Sequence, residues 1–191
     1  MNGAQSNLLL SNQPITELSQ ASVDATRELV YIYDLYPPKE FEELWKEDFD
    51  RTQIAVSLQN FWPEFSKIDS PKTYNDVFKH LFKELNLQNP MIISKGDHFV
   101  FLLSYLQDNI APVRELIVVN TSCMITPRAN YSQSFINMYP EINALKFKLF
   151  AVCDKLNAKE RNDYKLYSSS DNIVDEENLS TLIQKLSKKE D

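Results

Sequence analysis

Glycine is almost missing from this chain. Two occur in 191 residues, Gly3 and Gly96. Loops that cradle phosphate by close backbone approach need several, so P-loop and dinucleotide-binding readings are excluded. Histidine and cysteine are equally scarce, with His80 and His98, Cys123 and Cys153. There is no C-x-x-C and no H-x-x-x-H. Asp97-His98 is the one close His–carboxylate pair, and adjacent side chains do not converge on one ion. No metal set and no cofactor is expected. No window approaches the ~18 apolar residues of a membrane span. Leu8-Leu9-Leu10 is too short for a secretory signal and has no basic residue before it. Basic charge is also short, with 20 Lys+Arg against 27 Asp+Glu and a net charge of −7. Nucleic acid and anionic lipid are therefore poor partners, and a basic or apolar polypeptide is the natural one. The expected location is cytoplasmic, with both cysteines as buried free thiols in a reducing compartment. The N-x-[ST] sequons at Asn120, Asn130 and Asn178 carry little weight there.

What the chain does have is a core. Apolar residues make up 43% and aromatics 12%, enough for one domain without staples. Leu116-Ile-Val-Val119, between Pro112 and Pro127, is a continuous run rich in β-branched residues. It reads as a central strand covered on both faces. Residues 29–35 and 91–93 read as further strands, and residues 164–168 as another. Helical spacing is stronger elsewhere. Phe41, Leu44, Trp45 and Phe49 form one stripe over residues 38–50. Ile54, Ala55, Leu58, Phe61, Trp62 and Phe65 form a second. Residues 71–87, capped by Ser70 with Pro71 in the first turn, make the clearest helix. Residues 98–106 favour a buried helix, though a strand is possible. A short helix is expected over 129–138.

Residues 140–156 fit both periods. Ile142, Leu145, Leu149, Val152, Cys153 and Leu156 share a helical face, whereas Leu145, Phe147, Leu149, Ala151 and Cys153 alternate as in a strand. The helix explains more positions over a longer span and is preferred. The strand alternative would make a hairpin with residues 164–167. At the end, Asp175, Glu176 and Glu177 open a helix that Lys185 and Lys188 close, with both ends complementing the helix dipole. The fold class expected is α+β: one helix-dominated domain with a small sheet of about four strands and a C-terminal amphipathic helix. Residues 1–14 would be a mobile arm, 15–170 the globular body and 171–191 the tail.

No catalytic constellation stands out. Cys123 follows a buried strand and would need His80 or His98 as its base, yet no local signature surrounds it. Cys123-Met-Ile-Thr-Pro-Arg128 has one residue too few for the phosphate loop of cysteine phosphatases, no Gly, and Pro where a donor amide is wanted. Glu42-Glu43 and Glu176-Glu177 are adjacent on helices and point to different faces.

Small size, acidity, few glycines, an aromatic-rich body and the amphipathic tail over 175–188 together resemble the small acidic chaperones and adaptors of bacterial type III and type IVB secretion systems. The resemblance implies a non-enzymatic adaptor that holds another polypeptide, a complex subunit or a secretion substrate, through apolar and aromatic surface. The residues expected to bind the partner are Leu179, Leu182, Ile183 and Leu186 on the tail and Glu42, Glu43 and Glu47 on the acidic helix. Two alternatives stand beside it. One is a translocated effector, since Asp175-Glu176-Glu177 with Ser180, Thr181 and Ser187 is similar to the acidic C-terminal signals of type IV substrates. The other is an enzyme with a scattered site.

Overall fold

The computed structural model describes residues 8–10, 28–49, 51–68, 70–87, 89–108, 113–121, 147–155, 157–165 and 170–188. Seven parallel strands form one sheet. They are β1 (Leu8–Leu10), β2 (Glu28–Tyr33), β3 (Thr52–Ser57), β4 (Met91–Lys95), β5 (Glu115–Val119), β6 (Lys148–Cys153) and β7 (Ile173–Asp175). Their order across the sheet is β1-β3-β2-β4-β5-β6-β7. Six α-helices accompany them among the described residues: α1 (Lys39–Leu44), α2 (Leu58–Phe61), α3 (Pro71–Leu85), α4 (Phe99–Asp108), α5 (Ala158–Tyr164) and α6 (Leu179–Lys188).

The α+β expectation of a helix-dominated domain on about four strands is therefore wrong. The domain is α/β, with a parallel sheet covered on both faces. Alternate residues of each central strand enter two separate cores. Val30, Ile32, Ile92, Leu116, Val118, Leu149 and Ala151 meet α2, α3, α4 and α5 on one face. Leu29, Tyr31, Ile93, Ile117, Phe150 and Val152 meet α1 and α6 on the other. A strand apolar on both sides has no period-2 signature, and its residues also satisfy helical spacing.

Two segments misread as helix show this. Ile54, Ala55 and Leu58 fit a helical stripe, but residues 52–57 are β3, with Ile54 and Val56 in one core and Ala55 in the other. Residues 148–153 are β6, so the alternation of Leu149, Ala151 and Cys153 was the true signal and the preferred helix was not. The reverse error occurs at Tyr164, expected in a strand but closing α5, whose start Asn157 caps by accepting from Glu160 N. Leu8–Leu10, expected in a mobile arm, pairs with Ile54–Val56 as β1. The expected helix over 129–138, Cys123 and residues 140–146 lie outside the described residues.

Other expectations hold. Leu116 to Val119 lie in β5, inside the sheet between β4 and β6. Ser70 caps α3 by accepting from Thr73 N at 3.2 Å, Pro71 sits in the first turn, and Asn86 ends the helix in the left-handed region at φ 47°. The tail differs from its expectation: its apolar stripe, expected to bind a partner, packs on the protein's own core. Leu179, Leu182, Ile183 and Leu186 are all buried against the α1 side of the sheet. Burying four such side chains contributes on the order of 1.5–3 kcal/mol each, less what the unfolded chain already buries. Arg114 fixes the far end of α6 by donating to Leu186 O at 3.2 Å, and Arg51 does so through Ser187 Oγ at 2.8 Å. No helix among the described residues is long and apolar enough to cross a membrane.

Candidate functional site at the carboxyl edge of the sheet

From β2 the chain moves outward to β3, then returns past β2 to β4 and continues the other way. A crevice opens at such a reversal, outside the carboxyl ends of the strands, and ligands of parallel sheets bind there. Two polar clusters occupy this edge.

The first cluster joins Asp34, just past β2, to the corner between β4 and α4. His98 Nδ1 donates to Asp34 Oδ1 at 2.8 Å, and its Nε2 lies 2.9 Å from Ser94 Oγ. A carboxylate can only accept, so Nδ1 carries a proton, and the Nε2–Ser94 hydroxyl contact completes the chain. These are the hydrogen bonds of an Asp-His-Ser catalytic chain. The solvent order is inverted, however. Ser94 is 0% exposed and the His98 side chain 0%, while the Asp34 side chain is 40% exposed. A nucleophile must reach its substrate, and Ser94 cannot. The void beside His98, lined by Asp34, Gln59, Phe65, Ser66, Tyr74 and Asp97, is about 40 Å³. That is room for a water molecule, whose share of liquid volume is ~30 Å³, and not for a substrate.

Gly96 explains why the cluster fits. It forms the apex of the strand–turn–helix corner, at φ +135°, where L side chains are strained. In α/β hydrolases the nucleophile stands at the apex of such a corner. Here a Cβ at Gly96 would lie 2.8 Å from Asp34 Oδ2 and 2.9 Å from His98 Nδ1. Asp34 and His98 thus fill the space an apical side chain would need. Gly96 N donates to Thr121 Oγ1 at 3.2 Å, which ties the corner to the end of β5.

The second cluster lies on the α1 and α6 side and is open. A cleft of about 650 Å³ runs between α1 and the segment from β7 into α6. Glu40, Glu43 and Glu47 line it from α1 and the turn after it, Asp154 and Lys155 from the end of β6, and Asp175, Glu176 and Glu177 from the end of β7. Leu44 and Leu179 supply its apolar lining. Lys95 Nζ bonds Glu40 at 2.6 Å, Lys155 bonds Glu177 at 2.5 Å, and Arg161 bonds Asp175 at 2.7 Å. Asn120 Nδ2 donates to Glu176 at 2.7 Å, and Ser180 Oγ donates to Glu47. Lys39, on α1, lies 3.6 Å from Glu43. Even against these four cations, carboxylates remain in excess.

Burial tends to raise the Glu40 carboxyl, but hydrogen bonds from Lys95 and the backbone, the Lys95 charge and a hydrogen bond with Glu176 together hold it below the usual range. Glu160, packed behind Thr121, is shifted upward by burial and by Asp154 and Asp163, with the Thr121 backbone opposing. Cys153 at the end of β6 is wholly buried, and burial first, then Glu160, push its thiol up to about 11. That describes an inert core thiol. No group of three His, Cys, Asp or Glu among the described residues is placed to hold a metal ion.

Of the residues expected to bind a partner, the structure brings Glu43, Glu47 and Leu179 together in the cleft. Glu42 is exposed on α1 outside its lining, and Leu182, Ile183 and Leu186 are buried in the core. His80 sits on α3 beside Phe61 and Trp62, belongs to neither cluster, and lies 3.9 Å from Glu84. Sequence reasoning missed Asp34, Ser94, Gly96, Asp154 and the cleft position of Glu176. One signal was available: Asp34 follows an apolar strand, and Ser94–Gly96 close another at its carboxyl end. No protein-family model matches the chain, and no curated protein matches it in sequence.

Proposed function

We propose that this protein is a non-catalytic binding protein that holds a cationic segment of another polypeptide in the carboxylate-lined cleft. The observation that carries the reading is the excess of carboxylates around a 650 Å³ opening at the ligand-binding edge of a parallel sheet. Charge of one sign in a concave site steers and orients a partner of the other sign. This keeps the adaptor reading of the sequence but moves its surface. The tail contributes a wall of the cleft, and its apolar stripe is spent on the protein's own core. That burial favours an adaptor over a translocated effector, whose signal must be accessible. A secretion system remains a setting in which such an adaptor would work. The enzymatic reading has one observation in its favour, the Asp34–His98–Ser94 chain, and the burial of Ser94 weighs against it.

The test is a titration with a fluorescein-labelled oligolysine peptide, followed by anisotropy at rising ionic strength. Binding should be saturable and should weaken as the Debye length falls below about 8 Å, near 0.15 M salt. An equal response to an acidic peptide, or none to oligolysine at low salt, would overturn the proposal.

A further inference from the structure

No further inference is drawn: the strongest candidate, the carboxylate-lined cleft between α1 and the β7–α6 segment, belongs to the site already described, and nothing in the structure shows what fills it.

Discussion

The carboxyl edge of the sheet carries two polar clusters that differ in what water can reach. Asp34, His98 and Ser94 have the hydrogen bonds of a catalytic chain, but the serine and histidine are sealed. The cleft around Glu40, Glu47 and Glu176 has no such pattern, yet it is open and charged. Residue type alone would point to the first cluster, whereas access points to the second. The sealed cluster is better understood as a brace. It ties the loop after β2 to the β4–α4 corner, and so fixes Lys95, whose ammonium holds Glu40 at the cleft. The two clusters are thus unequal, one sealed and setting geometry, the other open and the proposed docking place.

The most severe way to break this comparison is to remove a wall shared by the cleft and the core. Deleting residues 176–191 uncovers the core on the α1 side of the sheet. With four buried aliphatic side chains at ~1.5–3 kcal/mol each before the unfolded-state discount, cooperative unfolding should be lost or shifted by several kcal/mol. Thermal denaturation followed by circular dichroism checks it, and an unchanged midpoint would mean that α6 does not pack as described. Next comes Gly96→Ala, which puts a Cβ against Asp34 and His98 at a positive φ. A loss of roughly 2–4 kcal/mol is expected in urea unfolding, with strain and overpacking adding.

Within the brace the effects should be graded. His98→Ala leaves a cavity and strands two partners, at a cost of about 2–3 kcal/mol, while Ser94→Ala removes one hydrogen bond, at about 1 kcal/mol. Equal effects would contradict the account of His98 as the central member.

A smaller effect concerns pH. Glu160 has a folded-state pKa raised above its unfolded value. Between the two values the folded state binds more protons, so its contribution falls as pH rises through that window. Glu40, held low, has the opposite sign: its contribution is present above the unfolded pKa and is lost as pH falls through the folded one. Glu160→Gln should therefore gain stability relative to wild type as pH rises from about 4 to 7, as carboxylates titrate near 4.3. Urea midpoints across that range give the result, and a parallel offset at every pH would refute it.

How much of this was legible in the sequence depended on where a residue sits in the sheet. Leu116 to Val119 read as a buried strand because four apolar residues stand together between prolines. Residues 71–85 read as a helix because one face is polar, and the caps agree. Residues 52–57 and 148–153 failed because both of their faces are buried: apolar residues on either side also satisfy helical spacing, which hid β3 and outweighed the alternation present in β6. Acidity of α1 was plain, and Glu43 and Glu47 were chosen on that ground. What the sequence did not show is that α1 faces Asp154 and residues 175–177, more than a hundred positions away. That juxtaposition depends on the strand order, and a strand order cannot be read from periodicity once two strands have been taken for helices.

The central claim is that the open cleft, and not the sealed cluster, is where this protein meets its partner. Glu43 and Glu177 line the cleft with side chains 61% and 64% exposed, so replacing both by glutamine should leave stability within about 0.5 kcal/mol. The decisive measurement is the dissociation constant of labelled oligolysine for Glu43→Gln/Glu177→Gln beside Ser94→Ala, at one low salt concentration. The account predicts about tenfold weaker binding for the double variant, equivalent to 1.4 kcal/mol, and no change for Ser94→Ala. Unchanged affinity in the double variant, or a loss confined to Ser94→Ala, would contradict it.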